Sequence, residues 1–158
     1  MKNNDCIDYF KQNGIAVLIP TYNNAGTLGQ VIESVLEYCD DLIVVNDGSN
    51  DETQLLLTNY PHVKVACYSP NKGKGYALRT GFRLAKKLGF KSVITMDSDG
   101  QHLASDLPLI ADENMKNPDS IIVGSRSFNV PNMPQKNSFA NRFSNFWFTV
   151  QTAISLPD

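Results

Sequence analysis

The chain has 158 residues, 42% hydrophobic and 19% charged, which is typical of one globular domain with its own core. Its formal net charge of −2, with no basic stripe evident, argues against nucleic acid as a partner. Three widely spaced cysteines without a C-x-x-C pair predict inert or buried thiols rather than disulfides or a zinc site. The polar start lacks the apolar core of a signal peptide, and no run approaches the roughly 20 apolar residues of a membrane span. We therefore expect a cytoplasmic protein.

Short apolar runs alternate with helical patterns along the chain. The predicted strands cover residues 15–20, 41–46, 63–68, 91–97 and 120–125, the third being more polar and therefore nearer an edge. The predicted helices cover residues 26–38, about 50–59, about 105–116, and the part of 71–89 that follows a glycine loop. This alternation predicts an α/β fold with a mainly parallel sheet, helices on both faces and right-handed crossovers. We expect a single domain over residues 1–158.

Two of these helices have a predicted inner stripe. In the helix within residues 71–89 the stripe consists of Leu78, Phe82, Ala85 and Leu88. In the helix over residues 105–116 it consists of Leu107, Ile110 and Ala111. Ligands of parallel sheets bind beyond the carboxyl ends of the strands, and the unusual polar residues follow those ends here.

Two carboxylates one residue apart follow the fourth predicted strand, in the stretch MDSDGQH. In an extended segment Asp97 and Asp99 share one side, while Ser98 turns away. Because like charges this close repel, a cation between them is favoured. Two hard oxygen ligands suit Mg²⁺ or Mn²⁺, which complete their coordination with water and phosphate, and Gln101 can add a ligand. The competing interpretation is an acidic surface turn, but the position at a strand end favours metal binding.

Further polar groups are expected at the same rim. Asp47 follows the second strand and can accept a hydrogen bond from a base N–H, although an Asp-Gly turn explains the spacing equally well. Lys72 and Lys74, in a glycine loop that is no Walker A motif, can reach phosphate. Taken alone, that loop is more simply a helix-entry loop with solvated lysines. Arg126 follows the fifth strand and is either a diphosphate ligand or a surface arginine.

Aromatic and aliphatic residues fall on one helical face over residues 138–154, a segment without any acidic residue. Such a helix can lie on a membrane surface, which would put the protein at the inner face of the membrane. Packing against parts of the protein outside this sequence is the favoured alternative, because a stripe at helical spacing is usually core.

Five motifs, in this order and at these distances, resemble those of the inverting glycosyltransferases of family 2 over about residues 14–126: VLIPTYNN, VVNDGSNDET, NKGKGYALRTG, MDSDGQH and GSR. The nearest branch includes dolichyl-phosphate mannose synthases and bacterial polyprenyl-phosphate glycosyltransferases. The resemblance implies a GT-A fold, a nucleotide-diphosphate sugar donor, Mn or Mg, and a sugar or polyprenyl-phosphate acceptor. It also implies that the sequence is a fragment of a longer protein, so no catalytic base is assigned.

The resemblance implies roles for individual residues. Asp47 hydrogen-bonds the nucleobase, Asp99 is the direct metal ligand, and Asp97 lies near the ribose and metal-bound water. Arg126 steadies the phosphates. The implied nucleotide-sugar-binding set is Pro20, Thr21, Tyr22, Asp47, Lys72, Lys74, Asp97, Ser98 and Asp99, and the metal set is Asp97, Asp99 and Gln101.

Two departures from the family pattern keep other functions open. Asn24 and Asn46 stand where the family usually has acidic residues. These departures and the end at residue 158 leave room for a domain that binds or scaffolds nucleotide sugars without turnover. A sugar nucleotidyltransferase is the nearest enzymatic alternative, but it should have a Gly- and Arg-rich loop after the first strand, and PTYNNAGTL contains no arginine.

Overall fold

The computed structural model describes residues 3–124, in which helices and strands alternate as predicted. The elements are α1 (Asn3–Asn13), β1 (Ile15–Thr21), α2 (Ala25–Leu36), β2 (Leu42–Asp47), α3 (Thr53–Leu57), β3 (Lys64–Tyr68), α4 (Lys74–Lys87), β4 (Ser92–Thr95), a 3₁₀ turn (Ala104–Asp106) and α5 (Leu107–Lys116). Residues 1–120 form one compact unit and residues 121–158 a second, of which only 121–124 are described. The expectation of a single domain over the whole chain therefore stays a prediction.

The four strands of the described residues form one parallel sheet in the order β3-β2-β1-β4. Val17 of β1 lies opposite Leu42 of β2, and Ile15 lies opposite Ser92 of β4. Every residue of β1 and β2 is buried, which explains their nearly continuous apolar sequences. The more polar β3 lies at an edge, as predicted, and exposes alternate residues. This order brings the carboxyl ends of β1, β2 and β4 to one rim.

Helices cover both faces of the sheet, which confirms the predicted layers. On one face α1, α2, α3 and α5 surround a core that includes Phe10, Ile32 and Leu107. On the other face the core belongs to α4, which packs Ala77 and Ala85 against the strands. In α5 the predicted inward residues are buried or partly buried, as expected.

The predicted inner stripe of α4 was partly wrong, because Phe82 and Leu88 are 44% and 46% exposed. The buried stripe consists of Ala77, Gly81 and Ala85. A Cβ atom at Gly81 would collide with the side chain of Leu18 in β1. Small residues four apart thus let α4 lie close to the sheet, and the larger neighbours are turned outward.

The first helix, α1, was not predicted, because its sequence is mostly polar. Its apolar contribution is small: Cys6 and Phe10, four residues apart, are buried against the core. Cys39 is also buried, and burial raises the pKa of its thiol to about 12. Cys67 is exposed, so two of the three thiols expected to be inert or buried are buried.

The predicted fifth strand is not formed over its described residues 120–124, which have no regular secondary structure. Ile121 and Val123 are 92% and 66% exposed. An apolar run becomes a strand only beside a partner, and within residues 3–124 the edge strand β4 pairs with β1 alone. Arg126 and the segment 138–154 lie outside the described residues, so the predictions for them stay predictions. No helix of the described part is long and apolar enough to cross a membrane.

Candidate functional site

A cavity of about 400 Å³ lies at the carboxyl ends of β1, β2 and β4, where a parallel sheet is expected to bind its ligand. Its walls contain three carboxylates, one lysine and the first turn of α4. The lining residues are Pro20, Thr21, Tyr22, Asp47, Asn71, Gly73, Lys74, Ala77, Asp97, Ser98 and Asp99. Of the residues predicted for nucleotide-sugar binding, all but Lys72 are therefore in this wall.

The end of β1 supplies an aromatic ring and a hydroxyl to the cavity. Tyr22 is 46% exposed, so its ring is accessible to a planar ligand. The Oγ1 atom of Thr21 is buried and has no hydrogen-bond partner among the described residues. Pro20 completes this wall.

Asp47 is held rigidly at the end of β2, where it is only 3% exposed. Its Oδ1 accepts the backbone N–H of Lys72 at 2.8 Å, and its Oδ2 accepts the amide of Asn71 at 3.0 Å. The same amide donates to the Asp47 carbonyl at 2.9 Å. A carboxylate has about four acceptor positions, so Asp47 can still accept a bond from a ligand.

The surroundings of Asp47 require a close approach of two loops. Gly48 has a φ of +71°, and a Cβ atom there would lie 2.5 Å from the backbone nitrogen of Asn71. The Tyr68 hydroxyl is buried near Asp47, yet no described acceptor meets hydrogen-bond geometry with it. Burial and, secondarily, the Asp47 carboxylate raise the pKa of Tyr68, so this hydroxyl stays neutral.

The two lysines of the glycine loop have different positions. The ammonium of Lys72 lies over the rings of Tyr68 and Tyr76, at 5.5 and 4.7 Å from their centroids. The backbone N–H of Lys72 bonds Asp47, but its side chain does not line the cavity, so its predicted contact with phosphate stays a prediction. Lys74, by contrast, lines the cavity and pairs with Asp97, with 2.6 Å between Nζ and Oδ1.

Lys74 is also the first residue of α4, whose N-terminal turn faces the cavity through Gly73, Lys74 and Ala77. Gly73 is the N-cap and makes no side-chain capping bond. The unpaired N–H groups and dipole of a helix N-terminus attract anions. This end of α4 is therefore suited to phosphate oxygens.

The chain turns at Ser98 and Asp99, after two irregular residues that follow β4, so the premise of an extended segment over Asp97–Asp99 was wrong. Both carboxylates nevertheless line the cavity, because the turn brings them to it. The Asp97 N–H donates to Nδ1 of His102 at 3.1 Å, and the Gln101 N–H donates to Oδ1 of Asp99 at 2.9 Å. Ser98, expected to point away, is buried and also lines the cavity.

Asn24 holds this turn in place, a contact that the sequence did not reveal. Its Nδ2 donates to the carbonyl of Ser98 at 2.6 Å and to the Ser98 hydroxyl at 2.9 Å. Its Oδ1 accepts from the hydroxyl of Thr27 at 2.7 Å. An aspartate could not donate to the Ser98 carbonyl. This bond explains why an amide stands here, where the family usually has an acidic residue.

Asn46, the other departure from the family pattern, has a similar explanation. It is 3% exposed, its Nδ2 donates to Oε1 of Gln54 at 2.9 Å, and its Oδ1 accepts the Ser49 N–H at 3.0 Å. The sequence showed Asn24 and Asn46 as departures from the family pattern, but it did not show which residues they bond to.

Reciprocal hydrogen bonds join the loops after β1 and β2. The Asn23 N–H donates to Oγ of Ser49 at 2.9 Å, and the Asn50 N–H donates to Oδ1 of Asn23 at 2.7 Å. Asp51 accepts the N–H groups of Ala25 and of Thr53, at the starts of α2 and α3. Although burial alone would raise the pKa of Asp51, these hydrogen bonds outweigh it and lower the pKa.

The donor set at the Asp97–Asp99 turn fits a hard divalent cation. Two carboxylates line one wall, and Asp97 already attracts the ammonium of Lys74. No group of three or more His, Cys, Asp or Glu side chains that could hold a metal occurs among the described residues. A cation here would therefore depend on water and ligand oxygens for most of its coordination, which is usual for Mg²⁺ and for phosphate-bound metals.

The model of the family described as Glycosyl transferase family 2 matches residues 16–153. The chain is 31% identical to the polyprenol monophosphomannose synthase of Mycolicibacterium smegmatis, over 90% of this chain and 57% of that protein. It is 27% identical to a dolichyl-phosphate β-glucosyltransferase of Trichomonas vaginalis, over 89% of this chain and 48% of that protein. The chain thus spans about half the length of these relatives.

Among solved structures, a crystal structure of glucosyl-3-phosphoglycerate synthase from Mycobacterium tuberculosis with Mn²⁺, uridine diphosphate and glucosyl-3-phosphoglycerate is similar. The TM-score is 0.56 at 23% identity, over 71% of this chain and 43% of that chain. At this identity the likeness concerns the fold, and it confirms the predicted GT-A architecture.

Proposed function

Because the chain belongs to glycosyl transferase family 2, we propose that it forms the donor-binding part of a metal-dependent inverting glycosyltransferase. The donor is a nucleotide-diphosphate sugar, and the acceptor class that we favour is a polyprenyl phosphate. Relatives named for dolichyl-phosphate and polyprenol substrates support that acceptor. A sugar hydroxyl is the alternative acceptor.

One observation carries the proposal: a single cavity is lined by Asp47, by Lys74 at the start of α4, and by the Asp97–Asp99 turn. A nucleotide-diphosphate sugar needs a polar group for its base, a positive environment for its phosphates, and a cation site beside them. The cavity offers one feature of each kind within about 400 Å³, a size ordinary for small-molecule sites.

Different residues of the cavity bind different parts of the donor. Asp47 accepts a hydrogen bond from an N–H of the base, and its own bonds to the 71–72 loop hold its carboxylate in place. The ring of Tyr22 stacks on the base at the open side. The N-terminus of α4 and the ammonium of Lys74 hold phosphate oxygens.

Asp97 and Asp99 would hold Mn or Mg, with Gln101 as a further ligand. When bound, the cation supplies a Lewis acid that neutralises negative charge on the departing diphosphate. Lys74 adds a second positive charge beside the same oxygens. Arg126 stays a predicted phosphate ligand.

The acceptor decides whether a base is needed. A polyprenyl phosphate attacks through an oxygen that is already anionic, on the face of the sugar opposite the diphosphate, and this inverts the anomeric centre. A sugar hydroxyl would require a carboxylate base to remove its proton. None of the described cavity residues is assigned that role.

A domain that binds nucleotide sugars without turnover is the second candidate. The observation that kept it open, amides at Asn24 and Asn46, now has a structural explanation in the bonds that each amide donates. We therefore favour the enzyme.

Calorimetric titration of the chain with UDP and with GDP, with and without Mn²⁺, tests the donor site. We expect one nucleotide to bind more tightly when Mn²⁺ is present. The Asp99→Ala variant should lose the Mn²⁺-dependent part, whereas Asp119→Ala, an equal change of charge at an exposed position outside the cavity, should keep it. Absence of nucleotide binding by the folded chain, or equal loss in both variants, would contradict the proposal.

A further inference from the structure

Basic residues are distributed unevenly over the two faces of the sheet. Between residues 53 and 96 the sequence contains eight lysines and arginines and no acidic residue. α4 carries five basic residues and no acidic one, whereas α1, α2, α3 and α5 together carry five acidic and two basic residues. The net charge of −2 hides this asymmetry, so the expectation of no basic stripe was wrong.

The cations of α4 have few partners within residues 3–124. Among the described residues Lys74 alone of them forms an ion pair, and Arg79 lies over the ring of Tyr76 at 5.9 Å. Arg83 and Lys87 are exposed. Like charges four residues apart, such as Arg79 with Arg83 and Arg83 with Lys87, disfavour a helix. The packing of this domain therefore offers no stabilising role for the whole set.

Exposed apolar side chains lie among these cations. Phe82 is 44% exposed and sits beside Arg83, and Leu88 is 46% exposed just after Lys86 and Lys87. Because small residues of α4 face the sheet, the outward side presents Arg79, Phe82, Arg83 and Lys86. A solvated helix face is usually of mixed charge, with the two signs interspersed, and this one has a single sign and an aromatic ring.

We propose that the outer face of α4 is a docking surface for an anionic lipid bilayer. Positive charge on a helix that lies flat, with apolar side chains among the cations, is the pattern that binds acidic headgroups. A helix of 14 residues spans roughly 21 Å, so several headgroups can be contacted at once. The exposed Phe82 and Leu88 favour a bilayer over nucleic acid, because they can enter the headgroup region.

This surface is separate from the donor site, and the inference does not rest on the proposed function. The outward residues Phe82, Arg83 and Lys86 do not line the cavity. α4 nevertheless starts at the cavity wall, through Gly73 and Lys74. Docking through its outer face therefore holds the cavity beside the membrane surface.

Co-sedimentation with vesicles tests the inference. We expect the chain to bind vesicles of mixed phosphatidylcholine and phosphatidylglycerol, to ignore pure phosphatidylcholine, and to dissociate as salt is raised. The double variant Arg83→Glu/Lys86→Glu should lower the partition coefficient by about tenfold or more. Phe82→Ser, which changes no charge, should weaken binding by a smaller factor.

The matched control is Lys11→Glu/Lys116→Glu, with the same change in net charge on helices that pack on the opposite face. It should bind within about twofold of the unaltered chain. Circular dichroism confirms that each variant is folded before it is compared.

Three results would overturn the inference. The control could lose as much binding as the α4 variant, which would make net charge the cause. The α4 variants could bind as well as the unaltered chain, which would assign binding to another segment such as residues 138–154. The chain could ignore anionic vesicles while binding a single-stranded oligonucleotide through the same arginine and lysine, which would make nucleic acid the partner.

Discussion

Asp47 and the Asp97–Asp99 turn bring carboxylates to one cavity from the two strands that flank β1, but they are built differently. Asp47 ends a buried strand, is 3% exposed, and has both oxygens bonded to the 71–72 loop. Asp99 is exposed in a turn, and Asp97 pairs with a long lysine side chain. We propose that the Asp47 side of the cavity is preorganised for a neutral planar group. On the Asp97–Asp99 side, we propose that a metal cation can replace the ammonium of Lys74.

The largest expected effect is a difference in the free energy of unfolding between variants of Asp47 and variants of the Asp97–Asp99 turn. Asp47→Ala leaves the Lys72 N–H without its acceptor and removes one of the two acceptors of the Asn71 amide, so the free energy of unfolding should fall by about 2–3 kcal/mol. Asp99→Ala, in an exposed turn, should change it by less than about 0.5 kcal/mol. Urea unfolding of both variants measures the difference. Equal losses would mean that the two sides are equally built into the fold.

A smaller effect is expected at Asn24, which connects the loop after β1 to the Asp97–Asp99 turn. Asn24→Asp removes the donor to the Ser98 carbonyl and puts a charge beside it, so Mn²⁺-dependent nucleotide binding should weaken by about tenfold. Nucleotide binding without Mn²⁺ should stay within about twofold, because Asp47 is untouched.

Asn13→Asp is the matched control for that variant, since the Asn13 amide donates to the Tyr9 carbonyl at 2.8 Å in α1. It should leave both titrations unchanged. If Asn24→Asp weakened metal-free binding as strongly as Mn²⁺-dependent binding, the two sides of the cavity would not be independent.

The smallest effect concerns the replacement of the Lys74 ammonium by a metal ion at Asp97. Lys74→Met frees the Asp97 carboxylate, so Mn²⁺ alone should bind about twofold to fivefold more tightly, as expected for a partly exposed ion pair. The same variant should bind the nucleotide less tightly, because phosphate loses a positive partner. Tighter Mn²⁺ binding together with weaker nucleotide binding would indicate that Lys74 and the metal ion exchange at Asp97.

Lys64→Met removes a comparable pair, Lys64 with Asp41 at 2.8 Å, on residues that do not line the cavity. Neither titration should respond to it. A Lys74→Met variant that weakened Mn²⁺ binding would show that the lysine supports the cation site rather than occupying it.

The sequence predicted the rim of this site because a parallel sheet fixes where strand ends lie. Asp47 ends β2 and Asp97 follows β4, and the alternation of strands and helices was enough to bring them together. The motifs then identified a family. The position of the cavity could be predicted without knowledge of any side-chain contact.

The contacts inside the site could not be predicted, because they join residues far apart in the chain. Asn24 is 74 residues from Ser98, and Asp47 is 25 residues from Lys72. The burial of α4 was also misjudged, since periodicity favours large apolar residues such as Phe82, whereas the close approach at Gly81 selects small ones. The difference between the Asp47 side of the cavity and the Asp97–Asp99 side, where we propose that a metal ion replaces Lys74, depends on such contacts.

The most direct test of the central claim is anomalous scattering from Mn²⁺ in crystals of the chain grown with Mn²⁺ and the nucleoside diphosphate that it binds. We expect one strong peak within coordination distance of Asp99, with the diphosphate beside it at the N-terminus of α4 and the base at Asp47. Nucleotide bound elsewhere, or a manganese peak away from the Asp97–Asp99 turn, would contradict the assignment of this cavity as the donor site.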